Sequence, residues 1–144
     1  MEIITLGRVV TEATIENLED LYEMEKGRLA TAAVRQVHVE DALVDTGATM
    51  LSLPSRLVAQ LGLRRLRSRQ ARTTAGTIPF DVFGTVQLTI QGRECRVDVA
   101  EVPDGCPVLV GQVPLELLDF VVDPSGQKLI GNPEHGGQHM IDMF

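Results

Sequence analysis

Cysteine, aromatic residues and positive charge are all scarce in this chain of 144 residues, and each shortage removes a class of explanation. Cys95 and Cys106 are the only cysteines and have no metal-ligand spacing, so reduced thiols are expected, with Cys95 on an apolar strand face. Lysine and arginine number 13 against 20 acidic residues, a net charge of −7, which disfavours general nucleic-acid binding. The one basic cluster, Arg64, Arg65, Arg67, Arg69 and Arg72, has no interleaved aromatics on which bases could stack, and is expected to be a solvated loop or strand face. No apolar run reaches membrane-spanning length, and residues 1–8 lack the basic start and long apolar stretch of a signal peptide. A cytoplasmic address with no membrane partner is the expectation. Internal repeats and low-complexity linkers are absent as well.

What is present is the composition of a globular protein: 44% hydrophobic residues and a mean hydropathy of +0.07. The length suits one domain over residues 1–144, with N-terminal strands and an acidic loop or helix in 1–33 and a tail in 131–144.

Periodicity organises the chain. Ile3, Ile4, Val9, Val10 and Ile15 mark strands of modest quality, and Leu18, Leu21 and Tyr22 at helical offsets make the acidic stretch after them a short helix or an ordered loop. Val37 and Val39 alternate with His38 and Glu40, which turns His38 to the surface. Pro54 and Gly62 bracket a short helix containing Leu57 and Leu61. Residues 69–83 read as a hairpin turning at Ala75-Gly76, either a mobile flap or an ordinary solvent-facing hairpin. Val86, Leu88 and Ile90, then Cys95, Val97 and Val99, alternate with polar residues on either side of Gly92, the pattern of two half-buried antiparallel strands. Pro107-Val108-Leu109-Val110 is apolar enough to be buried on both faces, and one or two helical turns follow from Pro114. Asp123-Pro124-Ser125-Gly126 predicts a closing hairpin. His135 and His139 have a spacing that binds metal on a helix, but Gly136-Gly137 between them opposes that helix, so no metal is expected. Residues 140–144 are too apolar to be left in water, with packing on the chain's own core and a dimer interface both open.

One stretch carries chemistry. Ala42-Leu43-Val44 is an apolar approach that ends in Asp45-Thr46-Gly47-Ala48-Thr49. A carboxylate at the end of a buried strand is costly unless it is hydrogen-bonded or shares a proton. Gly47 is expected to permit a turn with positive φ and to leave the carboxylate open to a substrate. The plain alternative is a strand-ending turn with no catalytic role.

In order, the Asp-Thr-Gly turn, the helix after Leu53-Pro54 ending at Leu61-Gly62-Leu63, the Gly-tipped hairpin, two long strands and Leu109-Val110-Gly111 before a helix resemble the retropepsin-like aspartic proteases over roughly residues 34–140. The Asn-Pro-x-His-Gly-Gly segment at 132–137 is similar to that of single-domain bacterial members. The resemblance implies an all-β half-barrel with one or two short helices that forms a two-fold homodimer. It implies a catalytic Asp45, with Thr46 interlocking two active-site loops, Gly47 and Ala48 completing the loop, and a flap at Thr74, Ala75, Gly76 and Thr77. Leu109, Val110 and Gly111 would support the catalytic loop. The activity implied is an aspartic endopeptidase acting on extended peptides or proteins without metal or cofactor; a peptide-binding dimer that has lost catalysis is the alternative. Gln112 and Val113 stand where retroviral members usually have an arginine, and the segment after Phe120 is longer than theirs.

Overall fold

Alternating apolar and polar side chains shape most of the chain into strands, as the computed structural model of residues 8–143 describes. Strand β1 (Val9–Asn17) buries every second residue and leads into helix α1 (Leu18–Glu25), so the acidic stretch is helical. Asn17 caps it, its side chain accepting from Asp20 N at 3.1 Å and donating to Leu61 O at 2.8 Å. Asp20 in turn accepts from the backbone and guanidinium of Arg35, which together hold its carboxyl below the usual range and tie α1 to the chain entering β2 (Gln36–Val44). His38 lies on the outward face of β2, with Nδ1 3.0 Å from Thr14 Oγ1.

Strand β3 (Leu51–Pro54) and helix α2 (Ser55–Gln60) follow, the latter closed by Gly62 at φ +63. Next come β4 (Arg64–Thr73) and β5 (Gly76–Ile90). The basic cluster lies along β4, an exposed strand. The two strands expected at 77–83 and 86–90 are one 15-residue strand, β5, with a register shift where it passes from β4's neighbourhood into the body of the sheet. Strand β6 (Arg93–Val102), the short β7 (Leu109–Val110), helix α3 (Gln112–Leu118) and the hairpin β8 (Phe120–Asp123) and β9 (Lys128–Gly131) complete the chain.

The main sheet runs β1-β2-β7-β3-β6-β5-β4, and β1 also pairs with β5, which curls the sheet around its core. Within it, β2 with β7 and β3 with β6 are parallel. Ile15, Leu51, Leu53, Leu61, Leu88, Ile90, Leu115 and Leu118 are fully buried inside. Cys95 packs at the edge of this core, and burial pushes its thiol up to about 11, while Cys106 is exposed. No helix among the described residues is long and apolar enough to cross a membrane. The expected strand residues Ile3 and Ile4 lie outside the described residues, as does Phe144.

The C-terminal tail departs from one of its two expected fates. Met140, Ile141 and Met143 are 48%, 66% and 78% exposed, so they do not pack on the chain's own core. Polar contacts hold the stem of the tail instead: Arg93 donates to Leu118 O, Asp119 O and Gly137 O at 3.0, 2.9 and 2.5 Å while lying 4.6 Å from the centroid of the Phe120 ring.

Candidate active site

The Asp45 turn is held from behind by main-chain hydrogen bonds. Apolar residues at 42–44 form a strand that β7 can join in parallel: Leu43 N donates to Val108 O at 2.8 Å and Asp45 N to Val110 O at 3.0 Å. The chain then reverses, with Ala48 N donating to Asp45 O at 3.1 Å. Gly111 N, Gln112 N and Val113 N next donate to Met50 O, Ala48 O and Thr49 O at 3.1, 2.8 and 2.9 Å. The backbone on both sides of the turn is therefore fixed by Leu109, Val110, Gly111 and the start of α3. A Cβ at Gly111 would lie 2.5 Å from Met50 O and 2.7 Å from Thr49 C, so only glycine fits at this crossing.

Two expectations about the turn are corrected. Gly47 does not adopt positive φ. Its lack of a side chain serves a close approach instead: Gly47 N donates to Asp45 Oδ1 at 2.9 Å, and a Cβ there would sit 3.2 Å from the same oxygen. Nor is the carboxylate buried in the protomer. The strand leading to it is apolar, yet Asp45, Thr46 and Gly47 are all exposed, because the turn stands at the surface of the sheet rather than inside it. Thr46 makes no side-chain hydrogen bond within the protomer among the described residues, while Ala48 is half-buried.

Facing the turn is the hairpin of β4 and β5. Its two-residue loop is Thr74-Ala75, one position before the expected one, since Thr73 pairs with Gly76. The Thr73 hydroxyl donates to Gly76 O at 2.7 Å and accepts from Ala75 N at 3.1 Å, and Gly76 takes φ +111, which a residue with a side chain rarely adopts. Thr74, Ala75, Gly76 and Thr77 are all exposed.

Between hairpin and turn runs a groove of about 1000 Å³. Gly47, Ala48 and Thr49 form one end, Met50, Ser52 and Val102 the floor, and Ile78 and Phe80 part of the hairpin wall. Three charged residues are among its lining: Arg72, Asp81 and Glu101. Asp81 accepts the Ser68 hydroxyl at 2.6 Å with Arg65 3.3 Å away, contacts that hold it below the usual carboxylate range. Sequence reasoning missed Glu101, which reaches the groove's edge only through the pairing of β6 with β3. Among the described residues no group of histidine, cysteine and carboxylate side chains is arranged to hold a metal ion. His135 and His139 serve different partners, Asp119 with Asp142 and Leu117 O respectively.

An Asp-Thr-Gly turn buttressed by a parallel strand, opposite a glycine-tipped hairpin across an elongated groove, is an arrangement with relatives. The chain matches none of the curated proteins. Residues 30–116, more than half of the chain, match the family described as "gag-polyprotein putative aspartyl protease", and the chain belongs to this family of retropepsin-like aspartyl proteases, whose all-β fold it has.

Proposed function

We propose that this protein is an aspartic endopeptidase active as a homodimer, with Asp45 of each subunit supplying half of a carboxylate dyad. The observation that carries it is that Asp45 stands on a turn held by β7 whose next residues, Gly47 and Ala48, line the end of a peptide-sized groove. One chain brings one such Asp, so a two-fold partner has to bring the other. The exposure of Asp45 and Thr46 in the protomer supports this, since both remain free to meet their counterparts.

Two carboxylates within hydrogen-bond reach hold one proton between them over a working pH range. The ionised member takes a proton from a bound water as its oxygen attacks the peptide carbonyl carbon. The protonated member gives its proton to the carbonyl oxygen. Collapse of the tetrahedral intermediate breaks the C–N bond as the nitrogen takes the proton held by the first carboxyl and a hydroxyl of the intermediate gives its proton to the second, which releases a carboxylic acid and an amine and restores the one-proton dyad. In this scheme Thr46 interlocks the two loops, Leu109, Val110 and Gly111 support them, and the Thr74, Ala75, Gly76 and Thr77 tip closes over an extended peptide that pairs with the hairpin as an added strand.

Asp45→Asn is the test. Cleavage of a mixed peptide library is expected to vanish while the dimer, measured by sedimentation, persists. Undiminished cleavage in that variant would refute the role of Asp45; absence of cleavage in the wild-type dimer together with retained peptide binding would favour a binding module.

A further inference from the structure

His135 is clasped between two carboxylates, and a single imidazole serves both only when it is charged. Nδ1 lies 2.6 Å from Asp119 Oδ2, and Nε2 lies 3.2 and 3.3 Å from the two oxygens of Asp142. An ionised carboxylate only accepts hydrogen bonds and a neutral imidazole has one N–H, so the two contacts together require the imidazolium. Loss of that proton breaks the weaker contact. The Asp119 side chain, 7% exposed, keeps its short bond to Nδ1 and also accepts Met140 N and Asn132 Nδ2. Asp142, 80% exposed, is left against the bare lone pair of Nε2. Nearby, Arg93 is committed to the carbonyls of Leu118, Asp119 and Gly137, Glu134 is exposed, and His139 Nε2 donates to Leu117 O at 3.0 Å. Among the described residues, Asp119 and Asp142 are the charges that face His135.

Asp142 lies between Ile141 and Met143, so the clasp sets the course of an apolar segment that stands in solvent. Helix α3 joins this segment to the Asp45 turn. At its start Gln112 N and Val113 N hold Ala48 O and Thr49 O, and at its end Leu117 and Asp119 hold His139 and Met140. The helix has seven residues and is about 10 Å long. Val113 and Leu117, one turn apart and 43% and 39% exposed, carry an apolar strip from the turn to the tail. A two-fold partner that brings a second Asp45 to the first meets this strip as well. We propose that the strip and the tail receive a second copy of this chain, and that the proton on His135 is the switch: charged His135 holds the tail in its docking position and neutral His135 releases it. The assignment rests on the dimeric protease reading, because the missing Asp45 is what makes a second copy the occupant.

Sedimentation equilibrium of the full-length protein between about pH 6 and pH 10, with cleavage of the peptide library followed in the same buffers, tests it. The dimer dissociation constant is expected to rise at least about tenfold across that range. The contribution of a histidine raised in the folded state is complete below its ordinary 6.5 and is lost as pH climbs through the raised value. Asp142→Asn should stay dimeric at both ends, since an amide accepts from Nε2–H at the lower pH and donates to the bare Nε2 at the higher one. His135→Phe, which keeps a ring and loses both donors, should dimerise weakly throughout. The Asp45 dyad titrates alike in all three proteins, so differences among them belong to His135. A wild-type dimer of constant strength, a monomer at every pH, or a pH dependence that survives Asp142→Asn would overturn the proposal. A dimer of constant strength that cleaves peptides leaves the protease standing, whereas a pH-gated dimer that cleaves none overturns the protease and leaves the clasp standing.

Discussion

Asp119 Oδ2 and His135 Nδ1 lie 2.6 Å apart, with both side chains nearly inaccessible to water, and this pair fastens the C-terminal tail to the end of α3. Asp119 caps α3 in the left-handed conformation and also accepts Met140 N at 3.0 Å and Asn132 Nδ2 at 3.3 Å. The far side of the imidazole, Nε2, is 3.2 Å from Asp142 Oδ1. The His135 contact, reinforced by Met140 N and Asn132, pulls Asp119 down to about 2, and Asp119 followed by Asp142 raises His135 above its ordinary 6.5.

These shifts set a pH window for the tail. The stabilisation from His135 is complete below 6.5 and is lost as pH rises through its elevated folded value. That from Asp119 is complete above its ordinary 3.8 and is lost as pH falls through about 2. Hydrogen exchange at Met140 N, after correction for the intrinsic rate, is expected to show greatest protection between those ordinary values and weaker protection at alkaline pH. His135→Gln should flatten the alkaline limb; an unchanged profile would contradict the assignment.

Gly111→Ala is expected to destabilise the fold by about 1–3 kcal/mol, the usual cost of forcing a methyl group into filled space. The new Cβ would meet the backbone of residues 48–50, which cannot swing aside as a side chain tip could. Urea unfolding measures the loss, and a variant as stable as wild type would show that this crossing relaxes freely.

Asn17→Ala should cost about 1–3 kcal/mol. It removes the cap of α1 and leaves Leu61 O without the donor that joins the two parts of the chain at 2.8 Å. The same unfolding titration reads the effect, and the helical circular dichroism signal should fall with it.

Removing residues 138–144 is expected to weaken the proposed dimer at least about tenfold, since burying only part of Met140, Ile141 and Met143 is worth more than the 1.4 kcal/mol that a tenfold change represents. Sedimentation over a concentration series tests it. An unaltered dissociation constant would assign the interface to other surfaces.

Much of the fold was legible because burial and alternation coincide. Val86, Leu88 and Ile90 read as a half-buried strand and are one, and Pro54 and Gly62 bracket the helix they suggest. The apolar stretch at 107–110 was legible for the same reason, and its Leu109 and Val110 form the inner strand β7 between β2 and β3. Other features were not. Continuity of β5 through Gly84 depends on its pairing with both β4 and β6, which a local pattern does not contain. The Asp119 and His135 pair joins residues 16 apart through a left-handed helix cap, and neither spacing nor composition marks it.

By itself the order of residues determined which segments are strands, where glycine and proline interrupt them, and that a lone Asp-Thr-Gly ends an apolar strand, because these depend on side-chain periodicity and local backbone freedom. Only the tertiary structure decided that Gly47 serves the Asp45 carboxylate by close approach, that Glu101 of β6 comes to the edge of the groove, and that the apolar tail stands in solvent on a polar stem. Each of those depends on distances between segments far apart in the chain, and such distances are set by how the whole sheet closes.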